Sequence, residues 1–172
     1  MTQVSPHGLH HVTAIATDPQ SNVDFYTRAL GLRLVKQTVN FDAPDTYHLY
    51  YGDEKGSPSS LLTFFPWPGV PQGRRGAGMT TTTAFSVPES ALGYWHERFK
   101  RLGIDSDPPR TRDEEDVLTF RDPDGMVIDL VASVGDHRSG WDGWRTLPPS
   151  TRCAVCMRSP CRSVYSTRPR RC

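Results

Sequence analysis

Two adjacent histidines, His10 and His11, stand in the run Leu9-His10-His11-Val12-Thr13. By side-chain type they are the groups best suited to bind a metal ion or to move a proton near neutral pH. The run alternates with period two and so reads as a β-strand from residue 9. Leu9, His11, Thr13 and Ile15 share one face, and His10, Val12, Ala14 and Ala16 the other. The two imidazoles are therefore expected to point apart. For each, the plain alternative to chemistry is a half-buried strand histidine packed like its neighbours.

Other reactive side chains are scattered or unpaired. All four cysteines, Cys153, Cys156, Cys161 and Cys172, lie near the C-terminus. Cys153 and Cys156 have the spacing of a zinc-ligand pair, and the other two would complete four thiolates. A zinc ribbon needs a second closely spaced pair, which 161 and 172 do not form. From Ser150 to Cys172 acids are absent, Arg, Pro, Ser and Cys are enriched, and no apolar period of 2 or 3.6 is found. Residues 136–172 are therefore expected to be an irregular tail, with 150–172 out-of-frame or disordered sequence. The acidic run Asp113-Glu114-Glu115-Asp116 reads as a solvated hairpin turn. Tyr47, Tyr50, Tyr51, Phe64, Phe65 and Trp67 would suit an aromatic ligand, but strands favour such residues for packing alone. His48 alternates with Tyr47 and Leu49 and faces with Tyr50 toward the concave side of its sheet; the sequence assigns it no task.

The net charge of +1 averages two unlike regions. Residues 1–150 hold 14 basic and 19 acidic side chains, a net of −5, whereas residues 151–172 hold six arginines and no acid. A mildly acidic body argues against nucleic acid as a partner. No apolar run approaches the roughly 18 residues of a membrane span, and Met1 to Pro6 lacks the layout of a signal peptide, so the expected address is cytoplasmic.

The elements that must position these residues repeat. After the first strand, Asp18-Pro19 reads as an N-cap and first helical residue, and Val23, Phe25, Tyr26, Ala29 and Leu30 recur at helical spacing up to Gly31, a C-cap. Strands are expected at Arg33 to Val39, Tyr47 to Tyr51 and Ser60 to Phe65. A Pro/Gly-rich connector follows, centred on 68–78. The order then restarts: a strand over Met79 to Ser86, a helix after Pro88 closing at Leu102-Gly103-Ile104, and strands near Arg110 to Asp113, Asp116 to Arg121 and Met126 to Ser133. The last two join at the turn Asp122-Pro123-Asp124-Gly125. The expected fold is α+β, with βαβββ modules over 7–67 and 79–135, mixed curved sheets and one helix per module.

Tandem βαβββ units, with Gly8-Leu9-His10-His11-Val12-Thr13-Ala14-Ile15, Asp24-Phe25-Tyr26-Thr27, Leu30-Gly31-Leu32-Arg33-Leu34-Val35-Lys36 and Tyr47-His48-Leu49-Tyr50-Tyr51-Gly52-Asp53, resemble the vicinal oxygen chelate superfamily. That superfamily includes glyoxalase I, bleomycin-resistance proteins and extradiol dioxygenases. Within it the chain resembles the N-terminal half of the ring-cleaving dioxygenases that open hydroquinones, as far as about Pro149. Those relatives carry four modules, so the resemblance implies a truncated chain holding the first two.

The resemblance also implies a chemistry. A non-haem Fe(II) or Mn(II) ion, held by two histidines and a carboxylate, binds a hydroquinone- or catechol-like ring and leaves room for O2. His11 is the implied metal ligand of this chain. The second histidine and a glutamate come from a fourth module. In the second module the strand Met79 to Phe85 has threonine where a histidine would be needed, and Asp129 occupies a place where superfamily relatives often carry a carboxylate. His11 and Asp129 alone would hold Fe(II) poorly, so this chain is expected to have an incomplete site, the Fe(II) or Mn(II) ion belonging to the intact family site. The alternative is a non-catalytic small-molecule binder of the bleomycin-resistance type. In either case module faces left uncovered would favour a homodimer.

Overall fold

Period-two alternation in the first strand places small apolar residues on one side, and that side decides where the sheet packs. The structure, a computed structural model, describes residues 9–74, 76, 79–133, 141, 147–152 and 154–158. Strand β1 (His11–Ala16) is followed by helix α1 (Pro19–Asp24), a π-helical turn (Phe25–Ala29), and strands β2 (Arg33–Val39), β3 (Tyr47–Gly52) and β4 (Leu61–Pro66). Asp18 caps α1, its Oδ2 accepting from Ser21 N at 2.6 Å, with Pro19 in the first turn. The expected helix over 19–30 thus divides, because at Phe25 the backbone bonds widen: Leu30 N donates to Phe25 O at 3.1 Å, an i to i+5 step. Gly31 then takes φ 70°, the left-handed conformation that ends the helix.

The second module repeats this order. Strand β5 (Thr83–Val87) precedes a 3-10 turn (Glu89–Ala91), helix α2 (Leu92–Leu102), and strands β6 (Arg110–Arg112), β7 (Glu115–Arg121) and β8 (Val127–Ala132). Helix α2 ends in a Schellman cap: Ile104 N donates to Phe99 O and Gly103 N to Lys100 O, with Gly103 at φ 67°. Residues 79–82 lie outside β5, so that strand starts later than its threonine run suggests. Of the acidic run, only Asp113 and Glu114 form the turn, with φ of 50° and 68°; both central residues are left-handed, as a type I′ hairpin requires. Glu115 and Asp116 already belong to β7.

The first sheet has order β1-β4-β3-β2 and the second β6-β7-β8-β5-β9. In each module the first and last strands are parallel neighbours, β1 with β4 and β5 with β8, and the other pairings are antiparallel. Strand β9 (Ala154–Arg158) pairs antiparallel with β5 and corrects the expectation of an irregular tail at those five residues. Strand pairing there uses backbone groups along the free edge of β5 and needs no apolar period. Cys153, Cys161 and Cys172, and with them the question of a thiolate site, lie outside the described residues.

One apolar cluster joins both modules. Tyr26, Tyr51 and Phe64 of the first module and Phe85, Trp95, Phe99, Phe120 and Leu130 of the second belong to it. The junction is aromatic, with Phe25 facing Phe120 at 6.3 Å and Phe120 facing Phe99 at 4.5 Å. Tyr26 donates from its hydroxyl to Asp122 Oδ2 at 2.9 Å, and the Arg98 guanidinium donates to the carbonyls of Ala29 and Arg28. Both sheets turn their apolar faces toward this shared core. Their other faces point away from it.

Candidate functional site

The face of the first sheet turned away from the core carries His11, Thr13 and Ile15, all exposed, while Val12, Ala14 and Ala16 contact the core. Register extends that outer face across the sheet. His11, Thr13 and Ile15 lie opposite Leu61, Thr63 and Phe65 of β4, and Tyr50 of β3 lies opposite Thr63 on one side and Lys36 on the other. His48, two residues from Tyr50 and opposite Thr38, belongs to the same face. Thr13 and Thr63 tie the rows together through their hydroxyls at 2.8 Å.

The centre of this face is an aromatic wall. The His48 ring stands 4.1 Å from Tyr50 and 4.0 Å from Phe65, and Phe65 continues to Trp67 at 5.9 Å. Tyr50 Oη and His48 Nδ1 are 2.9 Å apart, a hydrogen bond, whereas His48 Nε2 is buried without a partner. Lys36 Nζ lies 5.5 Å from the Tyr50 ring centroid. Burial, and then the positive charges of His11 and Lys36, lower the His48 pKa below 6.5, which favours the neutral imidazole. Four of the six aromatics singled out in the sequence therefore divide by strand parity. Tyr51 and Phe64 fill the core, while Tyr50 and Phe65 line the open face.

His11 is not isolated from His10. The rings meet edge to face at 5.3 Å, with the two Nδ1 atoms 3.1 Å apart. This departs from the expectation that they point apart. His10 stands one residue ahead of β1, where the strand does not yet dictate its side-chain direction. With Nδ1 engaged by His10, Nε2 is the His11 nitrogen free for a ligand.

Asp129 takes another place altogether. It lies on β8 opposite Thr119 and Ala84, on the face of the second sheet that turns from the shared core. It is fully buried, and both oxygens are engaged: Oδ2 accepts from Arg112 at 2.7 Å and Oδ1 from the Thr119 hydroxyl at 2.6 Å. The structure thus puts His11 and Asp129 on outer faces of different sheets, with the core between them. Among the described residues no group of three His, Cys, Asp or Glu side chains forms a metal-binding cluster. The residue that sequence reasoning left without a task is His48. Its parity with Tyr50 indicated its face; its contacts with Phe65 and Tyr50 come only from the assembled sheet.

Comparison with known proteins follows the same lines. The model of the Glyoxalase/Bleomycin resistance protein/Dioxygenase superfamily matches residues 8–130. The protein named "Putative ring-cleaving dioxygenase MhqO" of Bacillus subtilis is 44% identical over 137 residues, covering 78% of this chain and 43% of its own length. The chlorohydroquinone/hydroquinone 1,2-dioxygenase of Sphingobium indicum is 35% identical over 142 residues, with shares of 78% and 43%. A crystal structure of a "putative dioxygenase" from Bacillus subtilis superposes with a TM-score of 0.79 at 38% identity, covering 87% of this chain and 47% of that one. The chain thus spans less than half the length of these relatives.

Proposed function

Because the chain belongs to the glyoxalase/bleomycin resistance protein/dioxygenase superfamily, we propose that it forms part of an extradiol-type, ring-cleaving dioxygenase acting on hydroquinone- or catechol-like aromatics with O2. The observation that carries this reading is the open face of the first sheet, where His11 and an aromatic wall lie together. An apolar wall with a few polar groups is the usual build of a small-molecule site.

A resident Fe(II) or Mn(II) ion would need three protein ligands arranged on one side of it. The described residues offer His11 alone on this face, and Asp129 is held by Arg112 and Thr119. A complete metal site does not fit these residues. The role proposed for this chain is to contribute one imidazole and the wall against which an aromatic ring lies, with the remaining ligands supplied from outside the described residues.

The test combines metal analysis with turnover. The chain is purified without chelator, analysed for iron and manganese, and assayed for O2 uptake with substituted hydroquinones after addition of Fe(II) or Mn(II). Uptake abolished by His11→Ala is the expected result, and uptake that survives this change removes His11 from the ligand set. That no three-ligand cluster forms among the described residues favours a second reading, a binding module that sequesters a small aromatic without metal. Hydroquinone binding with no metal retained and no O2 consumed would select it.

A further inference from the structure

On the open face, one polar contact is built into the aromatic wall rather than left at its rim. Tyr50 and His48 share a hydrogen bond of 2.9 Å, His48 is flanked at 4.0 Å by Phe65, and Lys36 Nζ lies 5.5 Å from the Tyr50 ring. A neutral imidazole has one N–H and one bare nitrogen. His48 Nε2 is buried without a partner. An orphaned buried N–H is rarer in folded proteins than an unfilled acceptor, so the bare nitrogen is assigned to Nε2 and the proton to Nδ1. His48 therefore donates to Tyr50 Oη. That leaves the Tyr50 hydroxyl proton free for a third party.

We propose that Tyr50 is a hydrogen-bond donor to an ionised phenolic oxygen of the ligand, with His48 as the residue that positions and polarises it. This rests on the reading of the open face as the substrate face and specifies what that face recognises. The electrostatics agree, since His11 and Lys36 are the charged or chargeable groups whose field reaches His48, and both favour an anion nearby. Tyr50 and Phe65 both pack against the His48 ring, at 4.1 and 4.0 Å, which holds the imidazole in place for its bond to Tyr50. Sequence parity had placed His48 and Tyr50 together; the bond between them, and the orphan nitrogen behind it, supply the direction in which the proton points.

The probe is 4-nitrophenol, whose absorbance separates phenol from phenolate, titrated into the full chain with chelator present and O2 excluded. The expected result is preferential binding of phenolate, seen as ionisation of bound ligand at lower pH than free ligand. Tyr50→Phe and His48→Leu are each expected to weaken phenolate binding by about tenfold, the size of one hydrogen bond to a charged group. His48→Gln, which keeps an N–H for Tyr50, is expected to restore most of that loss; a merely structural role would not give this rescue. Equal binding of phenol and phenolate, unchanged binding by Tyr50→Phe, or no binding at all overturns the proposal. Should a variant fail to fold by circular dichroism, equal binding of phenol and phenolate by the unaltered chain still overturns the proposal. Because metal and O2 are absent, this result stands apart from the dioxygenase reading, which fails only if no O2 is consumed by the metal-supplemented chain.

Discussion

At the scale of single residues, type and environment disagree most at Asp129 and His48. Asp129 has the type of a metal ligand and the environment of a buried counter-ion, fully enclosed and bonded to Arg112 and Thr119. Arg112→Met is expected to destabilise the fold by about 2 kcal/mol in a urea melt, since it strands a buried carboxylate. The figure lies below that of a wholly buried pair because Arg112 is itself 39% exposed and part of its charge is screened. Metal content should not change. His48 makes the complementary case, a histidine whose pKa is lowered below 6.5 by burial and then by the charges of His11 and Lys36. Its folded-state value lies below its unfolded one, so its contribution to stability is complete above pH 6.5. Below that, the unfolded chain takes up the proton first, and the contribution is lost as pH falls toward the folded-state pKa. Chemical melts of His48→Gln and the unaltered chain should therefore converge as the pH drops below 6.5. A constant gap across pH 5 to 8 would show that the imidazole does not titrate in this way.

At the scale of elements, the π-turn at Phe25–Ala29 is the least regular feature of the first module, and it bears on how the modules meet. Its extra residue per turn presents Phe25 and Tyr26 together to the core, where Phe25 meets Phe120 and Tyr26 reaches Asp122. The helical spacing of Val23, Phe25, Tyr26, Ala29 and Leu30 made a helix legible there. A π-turn was not legible, because a shift from i+4 to i+5 bonding leaves those apolar residues facing the core. Gly31 closes the element at φ 70°, and a Cβ there would collide with the side chain of Leu147. Gly31→Ala is expected to cost about 1–2 kcal/mol from the left-handed backbone alone, and more once Leu147 is displaced. The check is a thermal melt of Gly31→Ala beside Gly103→Ala. Gly103 shares the left-handed backbone, but nothing crowds its Cβ position, so its loss should be the smaller.

At the scale of the whole molecule, two modules share one core; the first sheet turns its other face outward, whereas on the second sheet the opposite face is buried around Ala84, Val117 and Val131. Ile15 on the outward face of the first sheet is 55% exposed; at the same end of the sheet Val39 and Tyr47, paired on its opposite face, are 44% and 48% exposed, and Phe41 in the loop after β2 is 93% exposed. Exposed apolar side chains of this kind favour association. Association through them is expected to raise the sedimentation coefficient with concentration, and Ile15→Lys should suppress the rise. A chain that stays monomeric at all concentrations would refute this. The sequence by itself determined the parts: period-two alternation gave the strands and their faces, capping residues and helical spacing gave the helices, and the repeat of this order gave two βαβββ modules. His11 was singled out by the resemblance to ring-cleaving dioxygenases, since strand parity gives a side to His10 as well. Only the tertiary structure decided which side faces outward, that Asp129 stands beyond the core from His11 with Arg112 as its partner, and that His48 joins Tyr50 and Phe65. Parity along a strand is a local property of the backbone. Which strands become neighbours, and which faces the core covers, depends on packing between residues far apart in the chain, and no single-strand period encodes that.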